Sequence, residues 1–166
     1  EKDALKMKYQ PHKAVEMWTK RMNYPIEEPY APVAVWEKIL ATNRPIPYDL
    51  LEGESCIGGV DYAQVSDFVS CGLYFKKNGF KYYIEHSFVC HKALKDESRK
   101  IKFPVAEMEQ RGLLTIVRED SIKPDYVAQW FLNQASKYNI IDIKADEYRM
   151  KWLQEAFQST GLPLSK

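Results

Sequence analysis

Residues 67–76 (DFVSCGLYFK) alternate, with Val69, Cys71, Leu73 and Phe75 on one face. A period of two predicts a strand with one buried side. Residues 79–89 (GFKYYIEHSFV) alternate again: Phe80, Tyr82, Ile84, His86 and Phe88 face one way, and Lys81, Tyr83, Glu85 and Ser87 the other. Lys77-Asn78-Gly79 between the two runs is a hairpin signal. Just upstream, residues 55–63 (SCIGGVDYA) form a short apolar run closed by a polar turn, which suits a buried strand. Three consecutive antiparallel strands are expected here.

Beyond them the period lengthens to that of a helix. Helical material is expected from about Lys92, broken at Pro104 and ended by Gly112, followed by a short strand over residues 113–117 (LLTIV). Pro124 suits the first turn of a helix whose inner stripe is Tyr126, Val127, Trp130, Phe131, Gln134, Ala135 and Tyr138. Residues 140–145 (IIDIKA) read as a strand. A last helix is expected over about 147–160, with Met150, Leu153 and Phe157 inward and Gly161 at its end. Three antiparallel strands followed by helix–strand–helix units make an α/β fold with a mixed sheet.

The first 52 residues differ in composition. They hold six of the nine prolines and none of the seven glycines. A boundary is expected near Leu51-Glu52-Gly53-Glu54, with residues 1–52 a Pro-rich helical linker or docking segment and 53–166 the folded domain. Within the first segment, short helices are expected over about 11–22 and after Pro32, where Val35, Trp36 and Ile39 have helical spacing. Residues 42–49 are too proline-rich for regular structure. The chain opens Glu-Lys-Asp-Ala with no initiator Met, which predicts a piece of something longer.

Charge narrows the function classes. Lys+Arg number 24 and Asp+Glu 23, a net of +1 that excludes a highly basic nucleic-acid coat and an acidic tail. A basic face offset by an acidic metal site remains compatible with it. No apolar run approaches the roughly 18 residues of a membrane span. The three cysteines, Cys56, Cys71 and Cys90, form no C-x-x-C, which argues against a disulfide framework or a zinc knuckle.

Three acids fall where a sheet would expose them. Asp61 ends the first strand, Asp67 begins the second across a short turn, and Asp146 ends the strand over 140–145. Strand ends form the ligand crevice of open α/β sheets. Carboxylates gathered there suit Mg²⁺ or Mn²⁺, which prefer hard oxygen donors. Asp146 also suits a helix N-cap, and Asp67 a turn. An acid behind a buried Gly-Gly-Val run, as Asp61 is, needs a partner to offset desolvation. Glu85 and His86 lie on opposite faces of one strand and cannot serve one site. Cys90-His91 lacks a second ligand pair. Lys92, Lys95, Arg99, Lys100 and Lys102 form a basic run that is either a solvated helix face or a surface tracking phosphates. Arg149 could pair with a carboxylate or reach DNA. No P-loop, G-x-S-x-G or H-E-x-x-H occurs.

Residues 56–67 (CIGGVDYAQVSD) resemble the opening of the nuclease domain of tailed-phage terminase large subunits. The likeness continues through 103–112 (FPVAEMEQRG), 113–115 (LLT), 122–130 (IKPDYVAQW) and 138–149 (YNIIDIKADEYR), to the ending at Gly161. Residues 19–23 (TKRMN) look like the junction between ATPase and nuclease parts in that family. The chain is most similar to the group found in phages and prophages of Gram-positive bacteria.

The resemblance implies a ribonuclease-H-like mixed sheet flanked by helices. It also implies a metal-dependent endonuclease of the viral DNA-packaging motor, cutting double-stranded concatemeric DNA in the host bacterial cytoplasm. Asp61 and Asp146 match the catalytic acids, and with Asp67 they would hold Mg²⁺ or Mn²⁺, two ions in the complete domain. Lys92, Lys95, Arg99, Lys100 and Arg149 would contact DNA, and the whole protein would work with a small terminase subunit and a portal. The family's nuclease domain continues past Gly161 and supplies another acid from a later helix, so the resemblance implies that this chain carries part of the domain and part of the metal site, without the ATPase. Two other readings keep separate places: a resolvase- or integrase-like ribonuclease-H relative, and a non-catalytic module docking DNA or a subunit.

Overall fold

The computed structural model describes residues 34–65, 68–95 and 104–166. The chain divides into two compact units, Glu1–Arg44 and Pro45–Lys166. In the first, a single described helix, α1 (Trp36–Ala41), matches the spacing of Val35, Trp36 and Ile39 but buries none of its side chains. The helix expected over 11–22 and the 19–23 segment lie outside the described residues.

The second unit begins with α2 (Tyr48–Leu51), directly after Pro47. The compositional break near Gly53 and the structural one do not coincide. Leu51 is fully buried in the core and Ile46 packs against it, so residues from Pro45 onward belong with the sheet.

Six strands follow: β1 (Ser55–Asp61), β2 (Val69–Lys77), β3 (Phe80–Cys90), β4 (Leu114–Val117), β5 (Asn139–Ala145) and β6 (Leu164–Ser165). Between them stand α3 (His91–Lys95), α4 (Val105–Gln110), α5 (Pro124–Ala135) and α6 (Glu147–Gln158). The strands lie in one sheet in the order β4-β3-β2-β1-β5-β6. β1, β2 and β3 run antiparallel in turn, while β4 is parallel to β3, β5 to β1 and β6 to β5. This is a ribonuclease-H-like mixed sheet flanked by helices.

The sequence pattern accounts for most of this. Val69, Cys71, Leu73 and Phe75 are all buried, as the period of two requires. Lys77 pairs with Phe80, leaving a two-residue loop in which Asn78 and Gly79 have φ of 52° and 79°. Both positive angles fit a type I′ turn, whose twist matches the flanking strands. α5 and α6 cover the same face of the sheet. Val127, Ala128 and Phe131 from α5 and Leu153 and Phe157 from α6 join the strand residues in one core. The rings of Phe131 and Phe157 lie 5.7 Å apart. The opposite face keeps Ile57, Tyr83 and Ile141 exposed.

β6 is held by polar contacts. Asp142 Oδ2 accepts from the Ser165 hydroxyl at 2.7 Å and pairs with Lys144 Nζ at 3.0 Å. Those two partners hold the Asp142 carboxyl below its ordinary range. The three cysteines are free and buried. Among the described residues no helix is long and apolar enough to cross a membrane.

Candidate functional site

β1 and β5 are parallel neighbours, and their register brings two acids to one place. Val60 pairs with Ala145, so Asp61 and Asp146 emerge side by side at the carboxyl edge of the sheet. Parallel strands run about 5 Å apart, close enough for both carboxylates to face one small space. That space is a cavity of about 350 Å³ lined by Asp61, Tyr62, Ala63, Phe68, Ser70, Asp146, Tyr148 and Arg149.

Each acid is placed by a different local device. Asp61 is the last residue of β1 and pairs with Ser70 on β2, which puts a hydroxyl-bearing residue opposite it. The next residue, Tyr62, is buried and donates its hydroxyl proton to the Ile122 carbonyl, while Ile122 N–H donates to the Gln64 carbonyl at 2.8 Å. The chain leaving β1 is thereby fixed to the entry of α5. Burial pushes the Tyr62 hydroxyl up; the Arg149 guanidinium opposes this and Asp125 reinforces it. Asp146 is the N-cap of α6, its Oδ1 accepting from Tyr148 N–H at 2.8 Å. The capping role and the site role therefore coexist: one oxygen satisfies an orphan helix donor, and a second remains on a residue lining the cavity.

The donors suit a hard cation. Every polar side chain lining the cavity except Arg149 offers oxygen, and neither thiol nor imidazole is among them. Among the described residues no side chain hydrogen-bonds or ion-pairs with the Asp61 carboxylate. Nor does any group of three or more His, Cys, Asp and Glu side chains cluster closely enough to hold an ion. Asp67 lies outside the described residues.

The basic candidates separate. Arg149 lines the cavity, half-buried in the first turn of α6. Lys92 and Lys95 are exposed on α3, which begins where β3 ends and so at the same edge of the sheet, but neither lines the cavity. Arg99, Lys100 and Lys102 lie outside the described residues. Glu85 is exposed on β3. His86 faces the other way, where its Nδ1 and Nε2 lie 3.1 Å from the Gly112 carbonyl and 2.9 Å from Thr115 Oγ1. Its ring stacks on Trp130. It is a core-facing histidine.

Sequence reasoning missed Ser70, Tyr62 and Tyr148. Ser70 is legible only once β2 is paired with β1 in register. Tyr62 looks like one more core aromatic, and nothing in its position announces the carbonyl it reaches sixty residues away.

No protein-family model matches the sequence. No curated protein matches it either. Among solved structures, the crystal structure of the HK97 bacteriophage large terminase is similar to this chain with a TM-score of 0.58 and 15% sequence identity. The similarity covers 71% of this chain and 26% of that one, so this chain spans about a quarter of the terminase it matches. The two share a fold.

Proposed function

We propose that the unit Pro45–Lys166 belongs to a phage-type terminase large subunit and is its metal-dependent endonuclease domain, hydrolysing phosphodiester bonds of double-stranded concatemeric DNA in the bacterial cytoplasm. Asp61 and Asp146, with Asp67, are the ligands for Mg²⁺ or Mn²⁺. When bound, such ions supply Lewis-acid stabilisation of the charge that builds on phosphate oxygens and ease deprotonation of water. The chain's own part is geometric. Asp61 and Asp146 present negative charge from two adjacent strands, Tyr62 fixes the backbone beside Asp61, and the Tyr148 N–H orients the Asp146 carboxylate. In the whole packaging motor the partners are DNA, a small terminase subunit and a portal.

One observation carries this reading: the Val60–Ala145 pair, which brings two acids 85 residues apart in sequence to the same cavity. The fold shared with a phage large terminase supports it. The test is relaxation of supercoiled plasmid by the 166-residue chain in Mn²⁺. Because the chain carries only part of the family's metal site, slow nicking is expected in the wild type, and Asp61→Ala should abolish what there is. Nicking that is indifferent to Asp61→Ala sinks the reading. Cleavage of branched DNA alone would favour a resolvase-like role, and salt-sensitive DNA binding without cleavage a docking module.

A further inference from the structure

Tyr148 is out of place for a passive aromatic. It lines the cavity of Asp61 and Asp146, yet it is 80% exposed, the highest value among the exposed large apolar side chains of the described residues. Its neighbour Arg149 holds its guanidinium carbon 5.1 Å from the Tyr148 ring centroid, within cation–π range. The backbone under the ring is fixed by the bond from Tyr148 N–H to Asp146 Oδ1. Arg149 itself is half-buried, and among the described residues no carboxylate ion-pairs with it. The Tyr148 ring is a weaker partner than a carboxylate would be, so the partly desolvated guanidinium is left able to take an anion.

We infer that Tyr148 and Arg149 together grip one nucleotide at the lip of the cavity: the ring stacks on a base and the guanidinium takes the adjoining phosphate. This rests on the reading of the chain as DNA-binding and goes beyond it by naming the substrate feature read. A ring can stack on a base only where that base has left its own stack, so the preferred DNA has an unstacked base beside the bound phosphate. Stacking on an aromatic ring tolerates any base, which makes this a preference for DNA shape and not for sequence. Arg149 suits the phosphate because its planar fork matches two phosphate oxygens.

The test measures binding in EDTA, so that no cleavage intervenes. Two fluorescein-labelled duplexes of the same sequence are compared by anisotropy, one blunt and fully paired, one carrying a single unpaired central base. Wild type is expected to bind the bulged duplex more tightly. Tyr148→Ala should lose roughly 10-fold in affinity for the bulged duplex and little for the paired one, and Tyr148→Phe should keep the preference. Arg149→Gln should weaken both and reduce the salt slope by about one. Equal binding of the two probes by wild type, or a bulge preference unchanged in Tyr148→Ala, overturns the inference. Thermal melting of each variant shows that it folds, which an exposed ring at position 148 should permit. A Tyr148-dependent preference in a chain whose nicking is indifferent to Asp61→Ala supports this inference while the nuclease reading fails alone.

Discussion

Tyr62 donates its hydroxyl proton to the carbonyl of Ile122 at 2.5 Å, a buried bond joining the exit of β1 to the entry of α5. It ties the residue beside Asp61 to the helix that covers the sheet. Tyr62→Phe keeps the ring and orphans that carbonyl. Leaving a buried acceptor unpaired costs about 1–3 kcal/mol, so a loss of stability in that range is expected in urea denaturation. If Tyr62 positions Asp61, nicking in Mn²⁺ should also fall under conditions where the variant is fully folded.

Gly58 and Gly59 stand side by side in β1 but face opposite ways. A methyl group at Gly58 would stand 2.8 Å from both Phe131 Cε1 and Ile143 Cγ1, two side chains with no solvent exposure, while one at Gly59 would meet nothing within 4 Å. Close approach of α5 to β1 is thus what requires glycine at 58. Gly58→Ala should destabilise by about 1–3 kcal/mol through overpacking. Gly59→Ala should be neutral or slightly stabilising, because its backbone angles are open to alanine and the unfolded chain loses freedom. Parallel thermal melts of the two variants check the contrast, and equal losses would contradict it.

His86 sets a pH dependence. Burial lowers its pKa below the ordinary 6.5, opposed by the bond to the Gly112 carbonyl. With Nδ1–H donated to that carbonyl, Nε2 accepts from the Thr115 hydroxyl, which suits the neutral ring. Below pH 6.5 the unfolded chain takes up a proton that the folded chain refuses. The contribution of His86 is therefore complete above 6.5 and is lost as pH falls from there toward the folded value. The slope of stability just below pH 6.5 should flatten in His86→Gln. Asp142 and Glu119, also depressed, act in the same direction at lower pH, their contributions being lost only below the ordinary carboxyl values of 3.8 and 4.5.

What could be read from the chain follows the range of the interactions. The alternation in β2 and β3, the Asn78-Gly79 turn, and the Met150, Leu153 and Phe157 stripe of α6 are local patterns, and all were legible. β6 was not. Leu164 and Ser165 make a strand because β5 offers an edge and Asp142 a hydrogen bond, neither of which their own sequence encodes. Likewise Ala128 is buried because α5 lies flat on the sheet, while Gln134 and Ala135, in the expected stripe, are only half-buried near its end. Asp61 and Asp146 could be named as strand-end acids. That they adjoin depends on the strand order, which places β5 beside β1 on the far side from β2. Ser70 entered the site through register alone.

The two roles of Asp146 can be separated by choice of substitution. As N-cap it accepts from Tyr148 N–H, a task asparagine performs about as well as aspartate. As a cation ligand it needs its negative charge, which asparagine lacks. Asp146→Asn should therefore keep nearly all the stability of the fold and lose most of the nicking activity. Asp146→Ala should lose both, with a capping cost of about 1 kcal/mol in urea denaturation. Asp61 ends a strand, caps nothing and is exposed, so Asp61→Ala should cost activity without stability. If Asp146→Asn nicks plasmid as fast as wild type, the carboxylate is a helix cap and nothing more, and the cavity between β1 and β5 would have to be read without it.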